Sequence, residues 1–145
     1  MTIPSAITPG TIDVESVLPT VPTLLGPGRR VLLTTVGPDD APHTQPVLML
    51  ADAENRCGYA SLLTKATSSK ATHVRAHSRV TLAGSTPQPC WGRFSIEANA
   101  RIVEVPQALG GPSVVRIEFE LLSARIWVIY SSAPRDNEVF EIPVA

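Results

Sequence analysis

The stretch "RRVLLTTVGPDDAPHTQPVLML", residues 29–50, constrains the fold most. An apolar, β-branched run (29–36) meets turn chemistry in "GPDDAP" (37–42), and a second apolar run (43–50) returns. Runs this short, bounded by Gly, Pro and Asp, read as antiparallel strands joined by a tight turn. The pattern recurs. "ADAEN" is a second turn before "RCGYASLLT" (56–64), and "RVTLAG" (79–84) precedes the loop "STPQP". "WGRFSIEANARIVEV" (91–105) reads as a long strand, "SVVRIEFELLSARIWVIYS" (113–131) as one or two more, and "EVFEIPV" closes the chain. Six or seven strands with one small inserted helix predict an antiparallel barrel whose opening a helix covers. A sandwich accounts for the strands equally well but has less use for a helix after Thr64.

The 14 prolines fall between the runs and near the N-terminus, at Pro4, Pro9, Pro19, Pro22 and Pro27. They punctuate short elements, because proline is excluded from central strands. Residues 1–10 read as a flexible arm and 11–145 as a single domain. "TIDVESVLPTVPTLLG" spaces Val14, Val17, Leu18, Val21 and Leu25 helically, but Pro19 and Pro22 predict a short helix or two separate turns.

A chain of 145 residues suits one core. Its 12 basic and 13 acidic residues nearly cancel, which argues against a nucleic-acid footprint or a membrane-binding basic patch. Charged residues make up only 17%, so part of the surface is expected to be covered, most simply by a second copy of the chain. With no export signal or membrane-length apolar run, a cytoplasmic location is expected. Cys57 and Cys90 have no metal-ligand spacing and are read as reduced, buried and inert.

"LLTKATSSKATH" (62–73) concentrates hydroxyls and ammonium groups where a strand gives way to a helix that starts near Ser68. A helix start leaves backbone N–H groups unpaired and carries the positive pole of the dipole. Thr64, Ser68 and Ser69 can donate to phosphate oxygens, and Lys70 adds a full charge. On local chemistry alone, Ser68 as a plain cap with Lys70 solvated is the simpler alternative.

The order of these pieces resembles the FMN-binding split-barrel family typified by pyridoxamine 5′-phosphate oxidase. The matching residues are Thr35-Val36, Ala41-Pro42-His43, Leu62-Leu63-Thr64, Ser68-Ser69-Lys70 and Ser78-Arg79-Val80, within about residues 14–105. The resemblance implies a mainly β fold, a six-stranded antiparallel split β-barrel with a short N-terminal helix and a small helix after the third strand. It also implies a homodimer with FMN at the subunit interface, acting as an oxidoreductase on an unidentified small molecule. Carried over, Thr64, Ser68, Ser69 and Lys70 would hold the FMN phosphate. Leu62 and Leu63 would lie beside the ribityl chain or ring, partly through their backbone. Gln45, Pro46 and Val47 would face the isoalloxazine edge, and Arg93 or Trp91 would reach the partner's cofactor.

There are departures. Gln45 and Leu50 stand where the oxidase has basic residues, Ser69 where it has arginine, and Ala41 where glycine is usual. Its C-terminal substrate-binding pattern is missing from "SSAPRDNEVFEIPVA", so oxidation of pyridoxamine phosphate itself is not expected. The resemblance extends to deazaflavin reductases and to non-catalytic flavin- or haem-binding modules, with His43 the haem ligand to test. His73 and His77, at i,i+4, read as an exposed helix face rather than as metal ligands. Trp127 and Tyr130 fall on opposite faces of a strand, and Arg29-Arg30 leads a strand on its solvated side. No group stands out as catalytic.

Overall fold

The computed structural model describes residues 14–88, 90–106, 111–128 and 138–145, so the N-terminal arm and Tyr130 lie outside them. The expected break in the N-terminal helix is present: a 3₁₀ turn spans Val14–Val17, and helix α1 spans Val21–Leu24 with Pro22 in its first turn. Strands follow as β1 (Arg30–Val36), β2 (Pro42–Leu48) and β3 (Tyr59–Lys65). Helix α2 (Ser69–Ala76) leads to β4 (Arg79–Ser85), β5 (Gly92–Glu104), β6 (Val114–Val128) and β7 (Glu138–Ile142).

All pairings are antiparallel, in the order β2-β1-β4-β5-β6-β3, with β7 added on β6. β3 and β7 share one side of β6: β3 pairs with residues 114–120 and β7 with residues 124–128. Between these spans the register against β5 shifts, so that Glu97 faces Ser123 and Ala98 faces Leu121. The extra residue bends β6 at this handover. β2 and β3 are therefore the edges of the curled sheet. Among the described residues the chain joins them at one bridge just past the end of β2, where the Leu50 N–H donates to the Ser61 carbonyl at 2.8 Å. Beyond it the barrel is split, and α2 packs over the opening against β1, β5 and β3.

Alternation along each strand sends one face inward. Leu33, Leu82, Phe94, Ile96, Ile117, Phe119 and Ile126 fill the core, each 2% exposed or less. Leu24 of α1 plugs one end, while Ala71 and Val74 of α2 seal the split side. Pro46 interrupts β2 without penalty to a central ladder, because β2 is an edge. Gly92 is obligatory for a different reason: a Cβ there would come within 2.1 Å of the Trp127 carbonyl oxygen. In the β1–β2 turn the left-handed position is Asp40, with φ 59°, so Ala41 needs no glycine's freedom. Aspartate tolerates that conformation better than most residues.

One expectation is corrected. Cys90 is buried, with its thiol pushed up by that burial, but Cys57 is exposed. It sits in the β2–β3 loop between Asn55 and Gly58, both at positive φ.

Candidate functional site

Helix α2 starts where the sequence pattern placed it. Ser68 is the N-cap: its Oγ accepts the Ala71 N–H at 3.2 Å and its carbonyl accepts the Thr72 N–H at 3.1 Å. The Ser69 and Lys70 N–H groups are left without intrahelical acceptors and point out of the helix start. The preceding turn is held by Ser68 N–H to the Lys65 carbonyl and by Ala66 N–H to the Ser113 carbonyl, both at 2.9 Å.

From this start Lys70 reaches across the split. Its Nζ donates to Gln45 Oε1 on β2 at 3.3 Å, and both residues are half-buried. The partner is a neutral amide, so the ammonium charge stays uncompensated. Among the described residues no carboxylate pairs with Lys70. Thr64 is half-buried at the end of β3, while Ser69 is exposed beside the cap. Lys65 and Thr67 are exposed. Thr64, Ser68, Ser69, Lys70 and Gln45 thus gather at one mouth of the split.

The other candidates divide by strand face. Val47 shares Gln45's inward face and is buried, whereas Pro46 is exposed on the outer face, so the three do not present one surface. Leu62 is 1% exposed within the core, and any contact it makes with a ligand is through its backbone. Leu63 lies on the outer face, half-buried. Arg93 and Trp91 are exposed at the start of β5, three strands from β2, and do not join this mouth within one chain.

His43 and His73 come together beside this mouth, two residues from Gln45 on β2 and three from Lys70 on α2, which residue spacing did not reveal. His73 is half-buried, with Nδ1 2.8 Å from the Oγ1 of fully buried Thr35, and its ring centroid lies 4.6 Å from that of His43. His43 Nε2 is 3.3 Å from Asp39 Oδ1, and His77 Nε2 is 3.1 Å from Asp40 Oδ1. The expected solvated histidine face is therefore corrected: His73 and His77 turn to separate partners on β1 and its turn. Among the described residues no three ligating side chains are placed to hold a metal ion. The Ala41 N–H, then His43, hold the Asp39 carboxyl below its ordinary value.

The opposite end of the split differs. Asp52, 7% exposed, accepts Arg56 Nε at 3.0 Å and Nη2 at 2.9 Å, together with the Glu54 and Arg56 backbone N–H groups. Arg56 also pairs with Glu118 at 3.1 Å, and Arg101 binds the same carboxylate at 2.7 Å. The Arg56 guanidinium stacks 3.9 Å from the Tyr59 ring centroid. Bonds from Arg56 hold Asp52 at about 2. A cavity of about 240 Å³ adjoins this network, lined by Val21, Leu25, Leu50, Cys57, Tyr59 and Leu121 among others.

A cation without a carboxylate partner at Lys70, outward N–H groups at a helix start and several hydroxyls suit a phosphate. The hydroxyl paired with a histidine here, Thr35 Oγ1, is fully buried and closed to a substrate, so the described residues fit the binding of a phosphorylated cofactor better than unaided acid–base chemistry.

No protein-family profile and no curated protein matches the sequence. Solved structures do. An F420 reductase superposes with a TM-score of 0.58 at 16% identity, over 71% of this chain and 94% of its own. A pyridoxamine 5′-phosphate oxidase-related, FMN-binding protein from Nostoc punctiforme gives 0.58 at 10% identity, over 80% and 87%. A heme binding protein from Mycobacterium smegmatis gives 0.62 at 11% identity, over 84% of this chain and 55% of its own. No helix among the described residues is long and apolar enough to cross a membrane. Edge strands that meet at a single bridge, an inserted helix over the gap, and these superpositions give the chain the split-barrel fold of the pyridoxamine 5′-phosphate oxidase-related proteins.

Proposed function

We propose that the protein binds FMN non-covalently in the split between β2 and β3, and works as a cytoplasmic oxidoreductase on a small molecule. The observation that carries this reading is Lys70, delivered by the Ser68-capped start of α2 to the neutral Gln45 across the split. In this reading Lys70, Ser69, Ser68 and Thr64 hold the phosphate. Gln45 and Val47 line the inner side of the mouth, and Leu63 flanks the outer side. When bound, the flavin supplies the hydride and electron chemistry, and the protein supplies position and electrostatics. A homodimer belongs to the same proposal. Leu32 and Leu48, 46% and 50% exposed on the outer faces of β1 and β2, are apolar surface of the kind a second copy covers. Light scattering should then give twice the chain mass.

The test is a flavin titration. Wild-type protein is expected to bind FMN more tightly than riboflavin, and Lys70→Ala to reduce FMN affinity at least about tenfold with riboflavin affinity nearly unchanged, as for loss of one charge-assisted bond. Equal loss for both ligands removes the phosphate role, and no binding of either removes the reading. The likeness to an F420 reductase favours a deazaflavin as second reading, and the heme binding neighbour motivates a third. Parallel titrations with FMN, the deazaflavin and haem, the last repeated on His43→Ala, separate the three.

A further inference from the structure

Arg116 stands apart from the other arginines near the closed end of the split. It lies on the outer face of β6, directly across from Leu63 of β3, and is half-buried. Its Nη1 donates to Ser61 Oγ at 2.8 Å, and Ser61, fully buried, donates onward to the Ala51 carbonyl at 2.8 Å. A hydroxyl has one proton, so Ser61 can only accept from the guanidinium. The side chain therefore leans from Leu63 toward the Leu50–Ser61 bridge, away from α2. The nearby carboxylates are already engaged: Glu118 by Arg56 and Arg101, and Asp52 by Arg56. Among the described residues no carboxylate pairs with Arg116.

A fixed, partly buried guanidinium with a neutral anchor and unspent donors is set up to receive negative charge. Lys70 thus follows the C-terminal end of β3 in the chain, and Arg116 is anchored on that strand at Ser61. Between them β3 runs three residues, from Thr64 to Ser61, about 10 Å at ~3.3 Å per residue. That spacing suits a ligand with a phosphate at one end and a charge-accepting ring at the other. Resting on the flavin reading above, we infer that Arg116 is the ring-side cation of this cleft. It favours the reduced flavin ring, which carries negative charge, over the neutral oxidised ring. It also offsets the basic residues missing at Gln45 and Leu50 from a strand not expected to contribute.

Three variants test this: Arg116→Met, Arg116→Lys and Ser61→Ala. Each is titrated with FMN and riboflavin, and the midpoint potential of bound FMN is read by equilibration with a redox dye. Arg116→Met is expected to lose about tenfold more affinity for reduced than for oxidised flavin, lowering the two-electron potential by about 30 mV. Its losses for FMN and riboflavin are expected to match, Arg116→Lys to recover most of the potential, and Lys70→Ala to leave the potential unmoved. If Arg116→Met melts below the working temperature, Ser61→Ala, which keeps the charge and removes its anchor, should show a smaller shift of the same sign. An unchanged potential in the folded variants, or a loss confined to FMN, overturns the ring-side role. If Lys70→Ala behaves as expected while Arg116→Met changes nothing, this inference alone fails. If wild-type protein binds no flavin, both fall.

Discussion

The two ends of the β2–β3 split are built on opposite electrostatic terms. At the closed end Arg56 and Arg101 converge on Glu118, and Asp52 accepts four hydrogen bonds, so buried charge is neutralised inside the protein. At the open end Lys70 meets only an amide. A neutralised network holds structure together, whereas a cation left over is available to a ligand. The difference assigns stability to the paired charges of the closed end and binding to the cations left over, and it can be broken at either.

The largest effect on folding is expected from Asp52→Ala. It strips the Arg56 guanidinium and two backbone N–H groups of their acceptor, at a cost of about 2–3 kcal/mol in a denaturant melt. Acid titration should give a smaller, graded version of the same loss. Arg56 holds the folded Asp52 at about 2, below the unfolded value near 4, so its contribution is complete above about pH 4. It disappears as pH falls from about 4 to about 2, because the unfolded chain takes up the proton first. Glu118 acts in the same direction: burial raises its pKa, but Arg101 and Arg56 outweigh burial and leave it lowered, so its contribution is also lost on acidification. Melting temperatures across this range should drop for wild-type protein and stay flatter for Asp52→Ala. The smallest effect is expected from Lys70→Ala, which should change stability by less than about 0.5 kcal/mol while altering FMN binding. A large destabilisation there would erase the contrast between the ends.

What the sequence made legible was local. The Ser68 cap, the 37–42 turn, the alternating strands and the proline-broken N-terminal helix all depend on neighbours within a few residues. The phosphate-type cluster was legible for the same reason, since Thr64 through Lys70 are contiguous and only Gln45 comes from elsewhere. Asp52, Arg56 and Glu118 form one network only because β3 pairs with β6, about half the chain later. Nor did spacing show that the rings of His43 and His73 would meet, which requires α2 to lie beside the β1–β2 hairpin. Arg116 was hidden in an apolar strand run, and its meaning depends on its reach to Ser61, two residues along β3 from the Leu63 it faces. Cys57 was misplaced because a small apolar side chain was assumed to be inside. It lies instead in the β2–β3 loop, at the surface.

The handover on β6 has a consequence for assembly. Among the described residues β3 gains its only full strand partner when residues 114–120 arrive, some fifty positions after it is made. The β1–β2 hairpin, by contrast, pairs at once and then waits for β4. One wall of the cleft can thus form early and locally, while the other depends on a slow, distant contact. During synthesis a ligand would meet half a cleft, and loading would be among the last events of maturation. Whatever fills this split would then also report that the chain has finished folding.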